Sequence, residues 1–160
     1  MLVAGGVGLQ LWPSARAHVP RRALAVLDAK SFAIVAAIAE RVVMAPGADP
    51  AEIAHRFDAA LTTSPPEAQA DVKTAILLVE SAAAGLLFDG RPRPFTRLAP
   101  LDRDAALYAF RDSRVQPRRA AYQALRKLCL AAHYSQPSTW ASVGYPGPPD
   151  IELPADYKVD

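Results

Sequence analysis

Prolines and their neighbours divide this chain into stretches that each have room for one helix. The marks are Pro46-Gly47, Asp49-Pro50-Ala51-Glu52, Ser64-Pro65-Pro66-Glu67, the proline-broken run 91–100 and Pro117. Proline lacks an N–H and fits the first turn of a helix but not its interior. Between the marks the chain is rich in alanine, the best helix former, with 33 of its 160 residues. No stretch alternates apolar and polar residues with β-branched enrichment, so no sheet is expected. The expectation is an all-α fold: an irregular bundle of about five helices followed by a Pro/Gly-rich C-terminal tail.

The helices are read from their apolar spacing. Residues 28–44 hold only Glu40 and Arg41 as charges after Lys30, so this helix is expected to be buried on most sides. The next opens at Asp49, suited to cap, with Glu52 placed to reach back. Ile53, Phe57 and Leu61 recur every four residues and face inward, while His55, Arg56 and Asp58 lie off that line. A third helix is expected from Pro66 to about Phe88, with Val72, Ile76, Val79, Ala83 and Leu86 or Leu87 inside. Its near lack of charge on the other face predicts the central helix of the bundle. Asp102 is expected to cap a helix over 103–113, with Leu107 and Phe110 buried. The last long helix runs from Pro117 to about Tyr134 and buries Ala121, Leu125, Leu128 and Ala132, flanked by Ala124 and Cys129.

Composition excludes several function classes. A formal net charge of +2 without a recognition module does not suit a nucleic-acid binder. A single cysteine, Cys129, excludes an internal disulfide and a multi-cysteine metal site. Cys129 and His133 share one side of the last helix, but two ligands do not close a zinc site, and no third group orients them as a nucleophile and base. Gly5-Gly6-Val7-Gly8 completes no dinucleotide loop. No catalytic, cofactor-binding or metal-binding residue is expected in this chain.

Residues 1–12 carry no charge, and Ala15-Arg16-Ala17 sets small residues two apart ahead of a polar stretch. This reads as an export signal over residues 1–17 with cleavage after Ala17, although no basic residue precedes the apolar run. The organisation expected is therefore an export signal (1–17), a helical domain (18–134) and an extended partner-binding tail (135–160). The chain is expected to be exported, periplasmic or membrane-associated, with any membrane contact made through its N-terminal segment or its complex.

The end of the last helix carries the most informative surface. Its far face holds Arg119, Gln123, Arg126 and Lys127, yet Leu130 and Tyr134 sit on that polar side, four residues apart. They lead into Ser135-Gln136-Pro137, Trp140 and Gly144-Tyr145-Pro146-Gly147-Pro148, where prolines limit backbone freedom and the rings offer large amphipathic anchors. Such a segment, expected to form neither regular helix nor sheet, suits lying across another protein or across its own bundle. Residues 111–149 carry a local charge of +5 and residues 150–160 a local −3.

The stretch from Phe110-Arg111 through Arg119, Tyr122, Leu125-Arg126-Lys127-Leu128, Tyr134-Ser135-Gln136-Pro137, Trp140 and Gly144-Tyr145-Pro146-Gly147 resembles the gluconate 2-dehydrogenase subunit 3 family. Those proteins are small accessory subunits of flavin-dependent sugar and alcohol dehydrogenases. The resemblance implies a non-catalytic partner of a large FAD-binding dehydrogenase subunit, with a cytochrome c subunit often accepting the electrons. FAD is then expected in the partner and no cofactor in this chain. It also implies a twin-arginine export role, although no arginine pair precedes the apolar run. The residues expected to meet the partner are Leu130, Tyr134, Ser135, Pro137, Trp140, Gly144, Tyr145, Pro146 and Gly147. The alternative reading is a stand-alone exported helical protein that binds a small ligand in a cavity among its helices.

Overall fold

The computed structural model describes residues 18–81, 85, 87, 90 and 93–148. The expected export signal and the acidic end of the tail lie outside these residues, as do Ala83, Leu86 and Phe88. Six α-helices are described: α1 (Ala29–Val42), α2 (Pro50–Leu61), α3 (Pro66–Glu80), α4 (Pro100–Arg111), α5 (Gln116–Tyr134) and the short α6 (Pro137–Trp140). Turns of 3-10 helix cover Phe95–Arg97 and Ala141–Val143. Among the described residues there is no strand, and no helix is long and apolar enough to cross a membrane.

The bundle is built around α1. Phe32, Val35, Ala36 and Ala39 are fully buried and Ile34, Ala37 and Ile38 almost so. Alanine on several faces lets α2 and α5 approach closely, while Phe32 and the isoleucines fill the space between helices. Asp28 caps α1, accepting the Ser31 N–H at 2.6 Å. Asp49 caps α2, accepting from the Ala51 and Glu52 N–H groups at 2.9 and 3.4 Å.

The centre is therefore α1 and not α3. Helix α3 buries only Ile76 and Val79 fully, and Leu77 is exposed. The helix leaves its outer face, with Glu67, Ala70, Asp71, Thr74 and Leu77, open to solvent. It also ends earlier than its composition suggests. Ser81 is extended (φ −63°, ψ 112°), and its carbonyl accepts the Gly85 N–H at 2.9 Å. Serine is favoured where a new helical turn begins, and this one breaks the expected long helix. Leu87 is exposed.

The helix starts differ in detail from expectation. Glu52 does not reach back to the α2 terminus but pairs with Arg22 and Arg56. Helix α3 has Pro65 at its cap position, and the Gln69 amide donates to the Leu61 and Ser64 carbonyls at 3.0 Å. Helix α4 begins at Pro100 with Ala99 at its cap, so Asp102 lies inside its first turn, where a carboxylate suits the helix dipole.

Polar clasps tie the outer helices to α1. Arg41 reaches Asp104 of α4 through two bonds of 2.8 and 2.6 Å. Buried Arg103 donates to Glu40 of α1 at 3.1 Å and to the Thr96 carbonyl at 2.7 Å, with its guanidinium 5.9 Å from the Phe95 ring centre. Glu80, at the end of α3, accepts from the Thr96 N–H and hydroxyl at 3.0 and 2.7 Å. The crossing around Phe95 and Thr96 is thus pinned to three helices.

A strap of irregular backbone, residues 18–27, lies against α2. It places His55 and Asp58 in the interior, not off the buried line: their exposures are 3% each. The Asp58 carboxylate accepts the Ala25, Val26 and Leu27 N–H groups at 2.7, 2.9 and 2.7 Å. His55 Nε2 accepts the Arg21 N–H at 3.0 Å. Side chains here take the place of a neighbouring strand, satisfying backbone donors that would otherwise be buried unpaired.

Candidate partner-binding hook

Helix α5 delivers the candidate site. Its buried face holds Ala121, Leu125, Cys129 and Ala132, with Arg118 and His133 also covered. Leu128 is half-buried, a position shared with Leu130, which packs against the core. Leu130 thus offers a partner only an edge. Tyr134, the last helical residue, is exposed, with the His133 ring edge-on at 4.8 Å.

The chain then turns back. Ser135 closes α5, its N–H donating to the Ala131 carbonyl at 2.9 Å and its hydroxyl to the Ala132 carbonyl at 3.1 Å. Pro137 opens α6, as proline suits a first helical turn. Regular structure therefore extends into residues 137–143, which the sequence reading left irregular. Thr139 and Ser142 help, donating their hydroxyls to the Gln136 and Thr139 carbonyls at 2.7 and 2.6 Å. Gly144 ends the turn at φ +69°, a left-handed conformation that glycine adopts without steric cost.

Trp140 organises the hook. Its indole N–H donates to the Tyr134 carbonyl at 3.0 Å, tying the turn to the end of α5. The Tyr145 N–H returns to the Trp140 carbonyl at 2.9 Å. The Trp140 and Tyr145 rings meet edge to face, 5.3 Å apart at 71°. Gly147 lies over the indole so closely that a Cβ there would sit 3.3 Å from a ring carbon. Pro137, Trp140, Ala141, Gly144, Tyr145 and Pro146 together border an open depression of about 440 Å³.

The hook is thus folded onto the end of its own bundle, yet it does not bury its rings. Tyr145 is 45% exposed, Val143 55% and Tyr134 37%, and Pro137 and Pro146 are open to solvent. Both arrangements left open by the sequence are partly realised: the indole anchors internally while an apolar outer face remains.

Cys129, His55 and His133 lie in separate surroundings. Burial pushes the Cys129 thiol up to about 12, so no thiolate forms near neutral pH. His55 is engaged by the strap. His133 lines a polar cleft of about 180 Å³ with Asp49, Glu52, Gln136 and Thr139. Among the described residues no group of three His, Cys, Asp or Glu side chains is placed to hold a metal ion. A hollow between Val79, Phe95, Leu98, Ala106 and Phe110 measures about 20 Å³, room for a single water and not for a small ligand.

Residues 29–147 match the family described as gluconate 2-dehydrogenase subunit 3. The chain belongs to that family. The match begins with α1 and ends on the glycine that covers the Trp140 ring, so the subunit 3 domain comprises the bundle and the hook as one unit. The strap precedes it. No curated protein and no solved structure matches the chain. By its name the subunit 3 family supplies one component of a multi-subunit gluconate dehydrogenase.

Proposed function

We propose that this chain is a non-catalytic accessory subunit that binds and stabilises a FAD-dependent sugar or alcohol dehydrogenase through its C-terminal hook. The observation that carries the reading is the outward apolar face of Tyr134, Val143, Tyr145, Pro137 and Pro146 on a turn already ordered by Trp140. A turn ordered before binding loses little conformational entropy on docking, and aromatic anchors supply most of the binding energy in interfaces of this kind. Binding the folded large subunit shifts its folding equilibrium by mass action. The oxidation and its flavin belong to that partner, and a cytochrome c subunit is a further candidate component. Export with the partner, to the periplasm or the membrane surface, is part of the same reading.

Ending the chain after Ser135 tests it. The truncated bundle should stay helical by circular dichroism and lose co-purification with a co-expressed large dehydrogenase subunit. Retention of the large subunit by the truncated chain would refute the role of the hook.

A further inference from the structure

The inner and outer halves of the strap are gripped by different side chains. The inner half is held by the three N–H bonds to Asp58, at Ala25, Val26 and Leu27. The outer half has one backbone attachment, the partly buried Arg21 N–H to His55 Nε2 bond at 3.0 Å. Its other ties are side-chain pairs open to water, Arg21 with Asp49, Arg22 with Glu52 and, at 3.7 Å, His18 with Glu40 of α1, which water and salt weaken. An imidazole accepts a hydrogen bond only through an unprotonated nitrogen; as imidazolium both nitrogens are donors. Protonation at Nε2 therefore sets a proton against the Arg21 N–H.

We propose that the outer strap, residues 18–22, is an acid-released latch: neutral His55 holds it on α2, and a proton on His55 lets it go, with Ala25–Leu27 as the fixed hinge. The charges that act on the ring are Arg21 and Arg22 from the strap and Glu52 and Asp58 from α2, while α1 faces it with the Phe32 ring at 4.7 Å. Burial above all, and then Arg22, hold the imidazole below its ordinary 6.5, against the opposing pull of Glu52 and Asp58. The sign follows. The latch is fully closed above pH 6.5, where His55 is neutral whether the strap is bound or free. It weakens as the pH falls below 6.5 and through the lower value of the closed state, because the open state takes the proton more readily. Release bares the α2 surface carrying Asp49, Glu52 and His55 while the bundle stays folded.

Amide hydrogen exchange on the full chain, corrected for intrinsic rates, tests this at pH 7.5 and 5.0. Protection at Arg21 should fall at least about ten-fold in acid, while Ala25, Val26 and Leu27 keep theirs. His55→Gln offers a carboxamide oxygen that accepts at either pH, so its Arg21 protection should not change with pH. Imidazole ¹⁵N shifts of the unmodified chain supply a readout independent of that variant. They should show Nε2 unprotonated at pH 7.5 and protonated as Arg21 opens. Equal Arg21 protection at both pH values, loss shared by Ala25–Leu27, or a protonated Nε2 at pH 7.5 would each overturn the latch.

Discussion

Asp58 shows how much one buried side chain can organise. It sits on the helix next to Phe57, which the apolar spacing marks as core, and turns its carboxylate to three backbone donors of the strap. Hydrogen bonds to a charged acceptor are stronger than neutral ones, and removing the acceptor strands its donors. Asp58→Ala should lower stability by about 3 kcal/mol in urea unfolding, well above the effect of an ordinary surface substitution. Cys129 makes the opposite case, a reactive residue made inert by its setting. It is fully buried, with the thiol raised to about 12. A thiol reagent at pH 8 should label the native protein no faster than it unfolds, and label it completely in denaturant. Of these two residues only the cysteine was legible in advance, because its burial follows from its place beside an apolar stripe. Asp58 gains its role from a segment about thirty residues away, and helical spacing carries no information about that partner.

At the scale of elements, the clasps decide which helices are tied to which. Arg41 and Asp104 join α1 to α4 through a two-pronged, partly buried contact. The bond from Arg41 holds the Asp104 carboxyl below its ordinary 3.8, so its contribution is present above that pH and is lost as the pH falls below it. Asp104→Asn should cost about 1 kcal/mol near neutral pH, with the difference from the parent vanishing in strong acid, as urea titrations at several pH values would show. The hook is the other element whose order depends on few atoms. Gly147 lies at φ +112° with the Trp140 ring where a Cβ would go. Gly147→Ala should loosen the indole contact, weaken partner binding about ten-fold or more and leave the melting temperature of the bundle nearly unchanged. Calorimetric titration with the large subunit, beside a thermal scan, separates the two effects. The pattern of prolines and glycines had indicated a stiff segment here, but not its helical turn. That turn depends on the Trp140 N–H finding the Tyr134 carbonyl.

For the whole molecule, the division of labour is visible in what the bundle does with its groups. The buried polar side chains Ser31, His55, Asp58 and Arg103 serve the architecture through caps, strap and clasps. The apolar surface outside the core gathers in part on the hook. This is the arrangement expected of a subunit 3 chain whose contribution to a dehydrogenase complex is contact. Replacing Tyr145 by alanine should reduce recovery of the large subunit in a pull-down several-fold while leaving the helical content intact, since Tyr145 is 45% exposed and supports no core residue.

The sequence by itself determined the helical class, most helix starts and the core stripes of α1, α2 and α5, because these depend on neighbours within a turn or two. Proline positions, cap residues and apolar periodicity all act at that range. Tertiary structure alone decided that α1 and not α3 is central, that Ser81 begins a new turn, that α2 buries His55 and Asp58 to hold the strap, and that the hook folds onto α5 with its rings half free. The central place of α1 and the hold on the strap are contacts between segments distant in the chain, and the Ser81 turn and the hook, though local, rest on specific backbone and side-chain bonds that apolar periodicity does not encode.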